Sequence, residues 1–369
     1  MNLLFDYEIF HSQRYGGISR YFVELIRALA GRPGLRITIA AGLYQNELLP
    51  SLRGLPGVRV LGWKRPAWLP GRRIYGLFNL LFFELAARAV RPDLYHATYY
   101  RNLARGLRAG RVVTIHDLIH EFFPATPGDP TAARKRQAIA HADLLLCVSA
   151  HTRDDLVRHY HVPPEKTRVV HHGVRRAVIP RPARPLEAPY LLHVGDRGGY
   201  KNGLALLRVL AREPDLRDRF QVVYFGSGPF NPAEKQLMKE AGLQGRVHHA
   251  TGSDEDLATW YAHAFALVYP SRYEGFGFPP LEAMQYGCPV LASNQSSLPE
   301  VVGEAGRLFH PDSETSLADA LRGLVDNPKG RADLVSRGQQ HHQRFTWKEC
   351  ADRTMAAYAS LMPPPARHE

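Results

Sequence analysis

Arg272-Tyr273-Glu274-Gly275-Phe276-Gly277-Phe278-Pro279-Pro280-Leu281-Glu282-Ala283-Met284 sets two carboxylates eight positions apart around a glycine-rich turn and two prolines. The apolar run Ala266-Leu267-Val268-Tyr269 leads into it and reads as a buried strand. Pro279 and Pro280 suit the opening of a helix, where no N–H donor is needed. Glu274 is thus expected on a loop and Glu282 in the first turns of the succeeding helix. Backbone amides at a helix start suit a phosphate. Carboxylates accept hydrogen bonds from sugar hydroxyls. A site offering both suits a nucleotide sugar.

Working outward, short β-rich runs alternate with helical stretches through the whole chain. Strands are expected at residues 2–5, 36–41, 58–61, 93–97, 111–115, 144–148 and 167–171 in a first half. In a second half they are expected at 190–194, 221–225, 246–249, 266–269 and 289–292. Such alternation implies parallel sheets with crossover helices, an α/β architecture. The stretch Arg175 to Pro189 carries four prolines in a short polar run and reads as the linker between two domains. Domains are expected at residues 1–180 and 181–345, with a final helical segment at 346–369. Ligands of open parallel sheets bind beyond the carboxyl ends of strands, so the site is expected in the cleft between the halves.

The strand–turn–helix around Glu274 and Glu282 resembles the Glu-x7-Glu signature of retaining glycosyltransferases of family 4, the group 1 glycosyltransferases, which have the GT-B fold of two Rossmann-like domains. Gly287-Cys288-Pro289-Val290-Leu291-Ala292-Ser293 and Leu298-Pro299-Glu300-Val301-Val302-Gly303 extend the likeness. The resemblance implies that Glu274 contacts the sugar and Glu282 the ribose, that the turn Gly275, Phe276, Gly277 and Phe278 lies at the donor phosphates, and that the last helix crosses back to the first domain. It also implies a nucleoside-diphosphate sugar as donor, GDP- or UDP-linked, with no other cofactor.

The donor's diphosphate needs positive charge. Leu192 to Asn202 supplies it just after a strand: Gly195, Gly198 and Gly199 permit tight turns, and Arg197 and Lys201 are cationic. This matches the family loop whose Arg and Lys hold the leaving diphosphate, although Asp196 and the Gly198-Gly199-Tyr200 spacing mark a subgroup, bacterial and mannosyltransferase-like. Near the start, Gly16-Gly17 resembles the family's N-terminal glycine pair that approaches the donor phosphate, with Ser19 a candidate helix cap. Thr114-Ile115-His116-Asp117 matches a strand-end His that faces the sugar. Gly226-Ser227-Gly228-Pro229 borders the nucleotide side as a turn; with Asn231 in place of a third glycine it is no dinucleotide fingerprint.

No metal site is assigned. His116 and His120 follow a strand without the Glu of a zinc-protease helix, and the His171-His172, His248-His249 and His341-His342 doublets lie on separate elements. Asp254-Glu255-Asp256 reads as a helix start capped by Ser253, not as a metal-binding Asp-x-Asp. Cys147, Cys288 and Cys350 are scattered, which fits a reducing compartment rather than a disulfide framework. Without a basic n-region at Met1 to Asp6, a cytoplasmic location is expected, peripheral at the inner membrane face if a lipid-linked acceptor is used.

The net charge of +12 implies attraction to polyanions. No recognition helix or RNA-binding consensus appears, so nucleic acid is not an expected partner. An anionic membrane or a diphosphate-linked acceptor accounts for the charge, as does a generally arginine-rich proteome. Trp63 to Arg73, followed by the apolar run Leu77 to Ala87, fits an interfacial anchor. Because that run is apolar nearly all round, it also fits a buried helix, the reading the sequence favours. The expected activity is hexosyl transfer, mannose by preference, to a glycan or lipid-linked acceptor of bacterial surface polysaccharide. A sugar-nucleotide epimerase of the same architecture, a non-catalytic nucleotide-sugar binder and a basic nucleic-acid binder are the competing classes.

Overall fold

The computed structural model describes residues 1–66, 72–101, 106–124, 129–175, 178 and 183–362, without the side chains of 72–74. Packing divides the chain into two compact units, Met1–Gly173 with Trp347–Glu369, and Val174–Thr346. The units therefore part at Gly173 and Val174 rather than at 180 and 181. The reason is local: Val174 N–H already donates to the Phe345 carbonyl at 2.8 Å, before the proline-rich run begins. Within that run, residues 176, 177 and 179–182 lie outside the described residues, as do residues 67–71 of the Trp63 to Arg73 segment.

The first unit is built on β1 (Asn2–Phe5), β2 (Arg36–Tyr44), β3 (Val58–Lys64), β4 (Leu94–Ala97), β5 (Gly110–Ile115), β6 (Leu144–Cys147) and β7 (Thr167–Val169). They form one sheet in the order β3-β2-β1-β4-β5-β6-β7. The second unit holds β8 (Tyr190–Val194), β9 (Gln221–Phe225), β10 (Val247–Ala250), β11 (Ala266–Tyr269), β12 (Val290–Ser293) and β13 (Arg307–Phe309), in the order β10-β9-β8-β11-β12-β13. Every pairing is parallel. Parallel strands need helical crossovers, which cover both faces, and so central strands such as Leu3-Leu4-Phe5 and Leu267-Val268 are fully buried. Strand order reverses between β1 and β4 in one sheet and between β8 and β11 in the other, which opens a crevice at the carboxyl ends there.

Two helices of the first unit are tied to its sheet by polar contacts. The Trp347–Ala359 helix shares a core with Phe22, Leu25 and Ile26 through Cys350, Ala351 and Tyr358. Its Tyr358 hydroxyl meets His96 Nδ1 at 2.6 Å, His96 Nε2 meets Thr114 Oγ1 at 2.8 Å, and Thr114 meets the Tyr21 hydroxyl at 3.2 Å, a buried polar chain through the core. The Arg72–Val90 helix is pinned by Asn79. A bulge in β2 skips Ala41 in the pairing with β3, and β1 pairs with β2 only as far as Ile39, so Leu43 has a strand neighbour on the β3 side alone. Asn79 Oδ1 accepts from Leu43 N–H at 2.7 Å and its Nδ2 donates to Leu43 O at 3.1 Å.

Candidate active site

At the reversal of the second sheet, β8 and β11 lie side by side, so their following loops must meet. Arg272 N–H donates to the Tyr200 carbonyl at 2.7 Å, joining one loop to the other. Lys201 Nζ reaches both oxygens of Glu274, at 2.7 and 3.0 Å, and the Tyr269 hydroxyl at 3.5 Å. Asn202, in the left-handed region at φ 51°, donates to the Pro311 carbonyl at 2.8 Å and closes the β8 loop. Burial works against the Lys201 charge. The carboxylate of Glu274 and the hydroxyls of Tyr269 and Tyr200 outweigh it and hold the ammonium well above its ordinary pKa.

The turn after Glu274 is held from behind. Ser296 Oγ accepts from Glu274 N–H at 2.8 Å, and Ser297 Oγ donates to the carbonyls of Glu274 and Phe276, both at 2.9 Å. Gly277 adopts φ 101°, and a Cβ there would lie 2.8 Å from Leu298 Cδ2. The left-handed backbone is what calls for glycine there. The helix Phe278–Gln285 begins at once, with prolines in its first turn as the sequence predicts. Glu282 is half-buried one turn along it. Its carboxylate accepts from the Tyr261 hydroxyl at 3.1 Å and lines a small cavity of about 40 Å³ with Arg175, Asp254, Leu257 and Tyr286. Glu274 does not line that cavity, so the two carboxylates face different spaces.

Arg197 takes a different course from Lys201. It is 5% exposed, and its Nε and Nη2 grip the two oxygens of Glu234 at 2.7 and 3.1 Å. Nη2 also donates to the Gly228 carbonyl at 2.9 Å, and the guanidinium lies 4.7 Å from the Phe230 ring centre. Nη1 is buried with no partner among the described residues. Burial raises the Glu234 pKa, but Arg197 and the Asn231 amide outweigh it and hold the carboxylate low. The sequence reading missed Glu234. The signal was present in Asn231-Pro232-Ala233-Glu234, a capping box in which Asn231 and Glu234 bond each other's backbone amides.

In the first unit the helix that the glycine pair opens runs Gly17–Leu29, with Gly16 at its cap position. Ser19 is not the cap. Gln13 Oε1 accepts from Ser19 N–H at 3.1 Å, and the Ser19 hydroxyl turns back to the Gly16 carbonyl. A side chain at Gly16 would meet the Gln13 amide at 2.3 Å and push it off the Ser19 N–H. His116 sits just past β5, buried between Tyr21 and His172, with Nε2 unpartnered among the described residues. Burial pushes its pKa down to about 3, with Lys135 adding to the effect, so the ring is neutral at ordinary pH. At the β1–β4 reversal stand two carboxyls the sequence reading passed over. Asp6, fully buried, accepts from the Tyr95 hydroxyl and from Glu8 N–H at 2.5 and 2.8 Å, and from Thr98. Glu8 accepts from Arg101 N–H at 2.7 Å, and burial together with Asp6 raises its pKa to about 8.

Comparison with known proteins decides what this architecture belongs to. Residues 174–341 match the glycosyl transferases group 1, and residues 15–178 match glycosyltransferase family 4. D-inositol 3-phosphate glycosyltransferase 1 of Catenulispora acidiphila is 30% identical, over 94% of this chain and 91% of its own. The chain is a family 4 glycosyltransferase. O-antigen chain mannosyltransferase B of Escherichia coli is 28% identical, over 94% of this chain and 96% of its own. Among solved structures, sucrose-phosphate synthase of Thermosynechococcus elongatus superposes with a TM-score of 0.76 at 21% identity, covering 98% of each chain. The Anabaena protein HepE, in complex with UDP and glucose, gives 0.74 at 19% identity, covering 98% of this chain and 100% of that one. These likenesses establish the GT-B fold.

Within this glycosyltransferase the acidic run Asp254-Glu255-Asp256 is a helix start. Ser253 and Asp256 form a capping box, with the Ser253 N–H donating to Asp256 Oδ2 at 2.8 Å. All three cysteines are buried and free.

Proposed function

We propose that this glycosyltransferase moves a hexose, mannose by preference, from a GDP- or UDP-linked donor to a hydroxyl of a glycan or lipid-linked acceptor, with retention at the anomeric carbon. The observation that carries the reading is the Lys201–Glu274 pair at the strand reversal, directly ahead of a helix start. As the bond from the anomeric carbon to the phosphate oxygen lengthens, negative charge grows on the leaving diphosphate. Lys201 and the helix start answer it, and Arg197 offers Nη1 while Glu234 keeps its other nitrogens in place. Because the protein supplies this positive charge, the reaction as proposed needs no metal.

Glu274 orients the sugar instead of attacking it. A carboxylate already satisfied by an ammonium at 2.7 Å is a poor nucleophile. The acceptor oxygen approaches the face the phosphate is leaving, the new C–O bond forms as the old one breaks, and the acceptor proton passes to the departing phosphate oxygen. Glu282, in its cavity with Tyr261, takes the ribose hydroxyls. His116, neutral and with a bare ring nitrogen, serves as a hydrogen-bonding partner and not as a cation. A place in surface-polysaccharide synthesis draws support from the O-antigen chain mannosyltransferase relative, and the reaction as proposed runs on the cytoplasmic side. The test is incubation with GDP-mannose and UDP-glucose and a mannoside acceptor, with the product's anomeric configuration read by NMR. An inverted product, loss of transfer on chelation, or conversion of donor to another sugar nucleotide without acceptor would each defeat the proposal.

A further inference from the structure

The large exposed apolar side chains of the described residues are not scattered. Of the nine, six lie between Trp63 and Leu85: Trp63, Leu77, Phe78, Leu80, Leu81 and Leu85. Leu77, Leu81 and Leu85 stand on successive turns of one face of the Arg72–Val90 helix and are 60, 57 and 66% exposed. The opposite face is spoken for. Tyr75, Asn79, Phe83 and Ala87 are buried, and Phe83 packs on the rings of Tyr7 and Tyr95. The buried-helix reading of the sequence thus holds for one side only.

Trp63 joins this surface from the edge strand β3. Its ring lies 5.9 Å from that of Phe82, which stacks 5.9 Å from Phe78, so strand edge and helix present one continuous apolar patch. The rim is basic. Lys64 and Arg14 both bind Glu47, at 2.6 and 3.3 Å, leaving a net positive cluster. Arg65 lies 5.3 Å from the Tyr75 ring, and exposed Arg88 follows Leu85 on the helix. Glu84 is the one acidic residue on the helix, which the sequence opens with Arg72-Arg73. Contiguous exposed apolar surface on a soluble protein marks a docking site.

We propose that this face docks on an anionic phospholipid bilayer, with Trp63, Leu77, Leu81 and Leu85 entering the headgroup–acyl boundary and Lys64, Arg65 and Arg88 meeting lipid phosphates. Indole and leucine beside cations is the composition that interfacial insertion favours. No helix among the described residues is long and apolar enough to cross a membrane, and the inner face of this one is committed to the sheet, so insertion is shallow and in plane. A two-fold contact with a second copy through the same patch would set one basic rim against the other, which disfavours that occupant. This surface goes beyond the transfer reaction and stands whether or not that reading does.

The experiment is vesicle flotation of the full chain, with phosphatidylcholine alone and with phosphatidylcholine mixed with phosphatidylglycerol. Binding to the anionic vesicles is expected, weakened at high salt, and about tenfold or more weaker on neutral ones. The variant Leu81→Glu with Leu85→Glu, at exposed positions, is expected to lose binding by a similar factor while keeping its melting temperature and its transfer to a water-soluble acceptor. Brominated lipid should quench tryptophan emission in the native chain, and less so in Trp63→Phe. Failure to bind anionic vesicles overturns the proposal. So does undiminished binding by the double variant, or a dimer in sedimentation analysis that the double variant dissolves.

Discussion

The two sheets reverse their strand order in the same way, yet the chemistry at the two reversals is opposite. Between β8 and β11 buried charges are kept and paired: Lys201 with Glu274, and Arg197 with Glu234. Between β1 and β4 charge is suppressed. Burial raises the pKa of Asp6 and holds Glu8 at about 8, and burial lowers His96 on β4, and His116 past the adjoining β5, to about 3. Burial is common to all these groups. What differs at the two reversals is the counter-ion: Lys201 meets Glu274 at 2.7 Å, whereas the Arg101 guanidinium stands 3.5 Å from Glu8. Topology builds the crevice; the partner residues decide whether it is ionic.

Removing one member of a pair should therefore hurt most in the second unit. Glu234→Ala strands the Arg197 guanidinium in a dry site, and a loss of about 3–5 kcal/mol in urea unfolding is expected. Glu234→Gln, which keeps an acceptor but no charge, should cost less. Lys201→Met leaves Glu274 without its cation at a more open position, with an expected stability loss of about 2–3 kcal/mol. The same change should lower kcat/KM on the order of a hundredfold. A variant that transfers at the native rate would break the contrast between the two reversals.

The first unit should respond to pH instead. A histidine whose folded pKa lies below its unfolded value binds fewer protons when native, so stability falls as pH drops through the unfolded value of 6.5. His96 and His116 should each withdraw up to about 2 kcal/mol between pH 6.5 and 5, with His172 adding to the trend in the same direction. Denaturant midpoints at pH 7 and 5 measure this, and His116→Phe should flatten the slope. Glu8 runs the other way. Its folded pKa of about 8 lies above the ordinary 4.5, so stability is lost as pH rises through that window. Glu8→Gln should gain about 3–4 kcal/mol more at pH 8 than at pH 5. An equal effect at both values would show that Glu8 is ionised in the fold.

Much of this was legible in the sequence where a pattern was local. Twelve of the thirteen strands among the described residues fall where short β-rich runs are expected from the sequence. The exception, Arg307-Leu308-Phe309, is a three-residue edge strand with two exposed members, too short to carry a period. The helix start at Phe278, the Asp256 capping box and the glycine pair were all visible as spacing. Partnerships across elements were not. Nothing near Arg197 in sequence announces that Glu234 will hold it, and Gln13 displaces Ser19 as cap by reaching over a turn. Asp6 and Glu8 look like ordinary strand-end acids until burial is known. The outward face of the Arg72–Val90 helix was hidden because an all-round apolar helix gives no sign of which side lacks cover.

The serines behind the Glu274 turn carry a practical consequence. Ser296, Ser297 and Leu298 shape the 274–278 backbone from a segment some twenty positions downstream. Anyone exchanging sugar-recognition loops between relatives of this enzyme would have to transplant both segments together. A graft of the acidic turn alone would arrive without its mould, and its glycine would rest against a foreign side chain.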